Sequence, residues 1–266
     1  MTPTLDDTHC LLTAASKGLG RAAASALVNA GATVTIASRS AENLAAARET
    51  ILAETDAASD AIRTQVCDLR SSEEITQLVD DTVVAFGGLD VLVTNHGGPP
   101  VQPIAETSVE EFDATYELVL RSTFATLRAA LPALADGGGS IVNIVSATAP
   151  EPKAGDVFQA ALRPGIYGLS KSLANEYGPE DVRVNCVCPR GITTERLTEK
   201  IDYLAETEGV SHEEAEAMRA AELPLQRLGR PEELGAAVAF LASDDASFIT
   251  GETIALDGGW SRGAFP

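Results

Sequence analysis

Thr13-Ala14-Ala15-Ser16-Lys17-Gly18-Leu19-Gly20-Arg21 is a small-residue turn between a short apolar run, Cys10-Leu11-Leu12-Thr13, and a segment of helical period from Leu19 to Asn29. Strand, turn and helix in immediate succession place bare main-chain amides at the positive end of the helix, where unpaired N–H groups and aligned peptide dipoles stabilise an oxyanion. Glycine at 18 and 20 costs backbone entropy, which a tight turn alone would also explain. The flanking strand and helix favour the sharper reading, a diphosphate and hence a dinucleotide.

Outward from this turn, apolar runs of strand type alternate with longer segments of helical period to the end of the chain. Strand candidates are Cys10 to Thr13, Thr33 to Ala37, Arg63 to Cys67, Val91 to Thr94, Ser140 to Val145, Val182 to Val187 and Thr253 to Leu256. Amphipathic segments follow from Leu19 to Asn29, Ala41 to Ala53, Glu73 to Phe86 and Glu110 to Leu134, with later ones after Gly165 and Pro231. This alternation predicts one α/β domain over residues 1–266, a doubly wound, seven-stranded parallel sheet with right-handed crossovers and helices on both faces. Residues 193–223 are polar, acidic and partly helical, and they follow the sixth strand. Their position suits a lid at the carboxyl ends of the strands; a solvated excursion is the plain alternative.

Composition narrows the classes. The 266 residues are 45% apolar, enough for a sizeable core, and their net charge of −20 repels nucleic-acid phosphates and anionic membranes. Only four lysines, Lys17, Lys153, Lys171 and Lys200, stand among 19 basic residues, an acidic balance that suits a salt-adapted cytoplasm. Cys10, Cys67, Cys186 and Cys188 lie in apolar stretches without a histidine at ligand spacing, so buried thiols are expected and no metal site. No basic leader precedes the first strand, and no continuous apolar run approaches a membrane span, so a cytoplasmic protein is expected.

Five motifs in order give the chain a family likeness. The loop at 13–20 resembles the TGxxxGxG cofactor loop of the short-chain dehydrogenase/reductases, with Ala14 at the first glycine. Cys67-Asp68-Leu69 is similar to that family's adenine-contacting segment after the third strand, and Thr94-Asn95-His96-Gly97 to its NNAG. Pro224 to Glu233, with Gly229-Arg230-Pro231, and Phe248 to Gly251 through Asp257-Gly258-Gly259-Trp260 match its carboxyl-terminal pattern. The resemblance implies a Rossmann domain and a nicotinamide cofactor held by Thr13, Ser16, Lys17, Gly18, Leu19, Gly20, Asp68, Leu69, Asn95 and Gly97. It also implies a homo-oligomer, dimer or tetramer.

Charge at the end of the second strand selects the cofactor. An acidic residue there bonds the ribose hydroxyls of NAD, whereas an arginine pairs with a 2′-phosphate. This chain has Ser38-Arg39, and Lys17 adds a second cation in the loop, so NADP(H) is expected.

The family's reaction uses a Ser, a Tyr, a Lys four residues after the Tyr, and an Asn on the preceding long helix. Ser146 stands where the Ser belongs. Counting thirteen residues on from Ser146, and twenty-six back from Asn185 of the sixth strand, both reach Gln159; four further is Arg163, and the same alignment sets Val119 at the Asn. Tyr167-Gly168-Leu169-Ser170-Lys171 has the Tyr-x-x-x-Lys pattern, but eight residues further along a helix is about 12 Å of rise and about 80° of rotation. A helix beginning at Pro164 would instead leave Gln159 in a loop.

Neither Gln159 nor Arg163 can serve as a general acid near neutrality. Arg163 suits ribose hydroxyls or a carboxylate, and Gln159 with Ser146 can hold a carbonyl oxygen. In Pro189-Arg190-Gly191-Ile192-Thr193-Thr194, similar to the family's PGxIxT, Ile192 and Thr194 are implied to hold the carboxamide. Arg190 either faces solvent or sets a cation beside an anionic substrate. His96 is either a substitute acid or a structural loop histidine. The expectation is an NADP(H)-dependent oxidoreductase of a small carbonyl or alcohol with an atypical proton path. The alternatives are a cofactor-binding sensor or assembly partner without turnover and, more remotely, a lyase or epimerase.

Overall fold

A computed structural model describes residues 3–149 and 151–263. The ends of the expected 1–266 domain lie outside the described residues.

Seven strands form one parallel sheet: β1 (His9–Leu12), β2 (Thr33–Ser38), β3 (Ile62–Val66), β4 (Val91–Thr94), β5 (Gly139–Ile144), β6 (Val182–Pro189) and β7 (Thr253–Leu256). Their spatial order is β3-β2-β1-β4-β5-β6-β7. The order reverses between β1 and β4, where Leu11 pairs with Leu92, and open sheets bind ligands at such a switch point. Strands covered on both faces read as near-continuous apolar runs, and β4 and β5 are buried throughout save for Gly139.

On one face lie α1 (Gly18–Asn29), α2 (Ala41–Thr55) and α9 (Pro231–Ala242). Their Ala23, Leu27, Leu44, Ile51, Leu234 and Val238 pack on Cys10, Val34 and Val142. Gly235 lets α9 ride close on α1, because a Cβ there would meet the Ala22 carbonyl at 2.6 Å. On the other face α3 (Ser72–Phe86), α5 (Ser122–Ala135) and α6 (Val157–Tyr177) enclose a second core that includes Leu78, Leu92, Leu127 and Val184, and α4 (Val109–Tyr116) adds Phe112 to a smaller cluster beside it.

The helix expected from Glu110 to Leu134 runs from Val109 to Ala135 with a wide π turn at Glu117–Arg121 separating α4 from α5. By length and composition it resembles a membrane span, yet Leu127, Ala130, Leu131 and Leu134 are buried in the core. The π turn turns Val119 inward, fully buried with Val145, Leu162, Ile166, Cys186 and Cys188. Gly165 of α6 seats against Leu120 of that turn, where a Cβ would meet Leu120 Cδ2 at 3.0 Å.

Residues 193–223 are two helices, α7 (Glu195–Glu208), capped by Thr194, and α8 (His212–Ala221), whose Ser211 and Glu214 form a capping box. They stand over the carboxyl ends of the strands. All four cysteines are buried free thiols; burial pushes Cys67 and Cys188 up to about 11 and Cys186 up to about 12.

Candidate active site

Two hollows meet over the switch point. The larger, about 560 Å³, runs from Gly18 and Leu19 past Asn95, Ser146 and Gln159 to α7 and α8; the smaller, about 200 Å³, lies beside Arg39. Ala14, Lys17 and Gly97 line both.

The β1–α1 turn separates them. Ala14 holds φ +47° and Gly18 φ +53°, both left-handed, so the glycine expected at 14 is replaced by a residue that pays a steric cost. Gly18 lines the larger hollow. Gly20 lines neither hollow and acts in packing: a Cβ there would meet the Ala14 carbonyl at 2.5 Å and Ala15 Cα at 2.8 Å. Thr13 likewise stays beneath the surface, donating to the Asn95 carbonyl at 2.7 Å and accepting from the Asn95 amide at 2.9 Å. The Asn95 side chain donates to the Ala14 carbonyl at 3.1 Å, which ties the ends of β1 and β4 together.

Ser16, Lys17, Arg39 and Leu69 surround the smaller hollow with Ser38, Ser40 and Asn43. Lys17 also pairs with Glu195 of α7 at 3.1 Å. Asp68, expected toward adenine, lines neither hollow. Its carboxylate is clasped by the Arg70 guanidinium at 2.5 Å, which holds it down at about 2.

At the larger hollow the residues reached by the two sequence rulers, Gln159 and Arg163, lie on α6. Helix α6 begins at Val157 and continues through Pro164, so Gln159 is helical and the helix start at Pro164 is corrected. Pro164 forfeits one helical hydrogen bond to Ala160, a local cost the helix bears where Gly165 packs on Leu120. Gln159 and Arg163, one turn apart, both line the hollow with 8% of their surface exposed. Arg163 Nη1 donates to the Val145 carbonyl, while its Nε and the Oε1 of Gln159 are buried without partners. Burial draws the Arg163 guanidinium down to about 10, so it stays charged at neutral pH. Ser146 lines the same wall, its Oγ 2.9 Å from the Thr148 hydroxyl.

Tyr167 and Lys171 line neither hollow. The Tyr167 hydroxyl donates to the Ser146 carbonyl at 2.7 Å and lies 3.0 Å from Cys188 Sγ, and burial drives its pKa far above the ordinary phenol value. Lys171 is exposed and donates to the Gly251 carbonyl at 3.1 Å.

His96 lines the hollow with 6% exposure. Burial, then the neighbouring Arg163 charge, lowers its pKa to about 3, which corrects its reading as a substitute acid. Nδ1 lies 2.9 Å from the Gly97 carbonyl and so carries the proton, leaving Nε2 a bare acceptor without a partner.

Ile192 and Thr194 line the wall below α7. Arg190 does not face solvent: its side chain is 16% exposed, it pairs with Glu222 at 2.7 Å, and its guanidinium lies 3.9 Å from the ring centroid of Trp260. Glu222 also receives Arg219 at 2.9 Å and Lys153 at 3.6 Å. Asp156, passed over in the sequence, lies at the start of α6 with 8% exposure and an unpartnered Oδ1, and burial raises its pKa.

The cleft suits a dinucleotide: a left-handed Gly18 leaves main-chain surface bare at the head of α1, and the hollows diverge on either side of that loop, one toward Arg39 and one toward Gln159.

Residues 13–261 match the family model described as Enoyl-(Acyl carrier protein) reductase. The chain is 31% identical to 3-oxoacyl-(acyl-carrier-protein) reductase FabG of Thermotoga maritima over 96% of this chain and 98% of that one. Among solved structures, a short chain oxidoreductase from Pseudomonas aeruginosa PAO1 containing an atypical catalytic center shares 30% identity with a TM-score of 0.90, covering 98% of this chain and 100% of the other. The structure of L-sorbose reductase from Gluconobacter frateurii, complexed with NADPH and L-sorbose, shares 25% identity with a TM-score of 0.92 over 99% and 100%. A family model spanning most of the chain, relatives of matching length and solved structures of the same overall fold lead to one conclusion: the chain belongs to the short-chain dehydrogenase/reductase family, whose members are oxidoreductases.

Proposed function

We propose that the protein is an NADP(H)-dependent reductase or dehydrogenase of a small carbonyl or alcohol, working without the family's Tyr-Lys proton relay. The observation that carries this reading is that Gln159 and Arg163, and not Tyr167 and Lys171, line the hollow beside Ser146. A bound nicotinamide supplies or accepts a hydride. The main chain at Gly18 and Leu19 faces its diphosphate, Arg39 and Lys17 its 2′-phosphate, and Ile192 and Thr194 its carboxamide. Arg163 brings a fixed charge to the wall of the hollow, where it serves ribose hydroxyls or a substrate carboxylate.

The Ser146 hydroxyl and the Gln159 amide donate to the substrate oxygen and so stabilise the charge that gathers there. The proton comes from water, since Val119 has no polar group to pass one on and His96 is already a base-side imidazole. Helices α7 and α8 close the cleft as a lid. A dimer or tetramer in the cytoplasm accords with the family and with the acidic composition. NADPH oxidation over a panel of ketones, oxoacyl thioesters and sugars tests the reading; turnover with at least one carbonyl class supports it. Tight NADPH binding with no turnover on any class would favour the sensor role instead.

A further inference from the structure

Six of the 19 basic residues of this acidic chain crowd one hollow. Lys153, Arg163, Arg190, Arg196, Lys200 and Arg219 all line the larger hollow, beyond the Lys17–Glu195 pair, and only Asp156 and Glu222 oppose them there. Six cations face two carboxylates, a surplus of four positive charges, on a chain whose net charge is −20. Such a concentration costs Coulomb energy in the absence of an anion.

The six fall into two groups. Lys153, Arg190 and Arg219 converge on Glu222, and Arg190 and Lys153 also lie over the Trp260 ring. Arg163, Arg196 and Lys200 form no ion pair among the described residues. Arg196 is steered across the β4 loop, donating to the Pro99 carbonyl, and it fills the space a Cβ on Gly98 would need. Arg163 is nine-tenths buried with its Nε unpartnered. Asp156 feels the charges of Lys200, Arg163 and Arg196 but has no hydrogen bond to any of them. Burial and the neighbouring Arg196 charge lower the Lys200 pKa, as expected where cations crowd without a counter-ion.

We infer that Arg163, Arg196 and Lys200 form a receptor for an oxyanion on the substrate, a carboxylate or a phosphate, so that the natural substrate is an anionic oxo or hydroxy compound. This rests on the oxidoreductase reading for the substrate's carbonyl, but the anion site itself does not require bound cofactor. Arg196 and Lys200 project from the lid, so the anion also draws α7 down over the cleft.

Calorimetric titration at fixed ionic strength separates the two ideas. Acetoacetate and dihydroxyacetone phosphate are compared with their uncharged counterparts, methyl acetoacetate and dihydroxyacetone, on the protein alone and with NADP+. At least one anion should bind about tenfold or more tighter than its neutral partner, as a charge-assisted contact requires. Which anion does so distinguishes the carboxylate source from the phosphate source. Arg196→Gln and Lys200→Gln should each erase most of that preference while NADPH affinity changes by less than about twofold. Equal binding of charged and neutral forms by the wild type, or a preference that survives both substitutions, overturns the anion site. Failure of NADPH to bind, with the anion preference intact, would overturn the cofactor reading alone.

Discussion

The Tyr167 hydroxyl donates to the Ser146 main-chain oxygen at 2.7 Å, so the only Tyr-x-x-x-Lys of the chain braces the strand end from behind. Tyr167→Phe should therefore leave kcat within about twofold and lower stability by about 1 kcal/mol, the worth of one hydrogen bond. Steady-state rates and a denaturation curve check both; a kcat loss of a hundredfold would return the proton to Tyr167.

The converse substitution places a titratable hydroxyl on the side of the same helix that lines the hollow. Gln159→Tyr combined with Arg163→Lys should raise kcat for carbonyl reduction by about tenfold or more, since a positioned general acid contributes about 10²–10⁴-fold. Absence of any gain in a folded double variant would count against this wall as the reacting one.

Ala14 at φ +47° invites a stability test at the phosphate loop. Ala14→Gly should stabilise the fold by about 0.5–1 kcal/mol, because release from the left-handed region outweighs the added chain entropy. Gly20→Ala should destabilise it by about 1–3 kcal/mol, because the new methyl meets backbone atoms that cannot give way. Thermal unfolding of the two variants should move in opposite directions.

His96 predicts an acid limb. Its folded pKa is depressed to about 3 by burial, so between that value and its unfolded pKa near 6.5 the unfolded chain binds a proton that the folded chain refuses. Stability thus falls as pH drops through this window. His96→Asn should flatten the difference in Tm between pH 7 and pH 5 relative to the wild type; parallel curves would show that His96 charges freely in the fold.

Much of the site could be read from local pattern, because strand, turn and helix signals act over a few residues. The two counts to Gln159 depend on the spacing between β5, α6 and β6, and Pro164 did not displace the helix start, since α6 begins at Val157. The π turn at Glu117–Arg121 was not legible: the apolar period continues across it, and only the packing of Leu120 on Gly165 reveals the extra width. Nor was the environment of Arg190, since its partners Glu222 and Trp260 come from distant segments whose meeting depends on the lid. Asp156 and the cations of α7 escaped notice for the same reason: surface-type residues become a buried cluster only once the helices stand over the strands. Nor was the Arg70 clasp on Asp68 legible, since the motif alone does not show which partner two residues on takes the carboxylate.

The proposed preference for NADP(H), with Arg39 as its determinant, is tested most directly by a calorimetric titration of the wild-type protein with NADPH and with NADH. The predicted result is NADPH binding about tenfold or more tighter, with that margin lost in Arg39→Ala, as an arginine–phosphate contact demands. NADH binding as tightly as NADPH, or heat from neither, would contradict it.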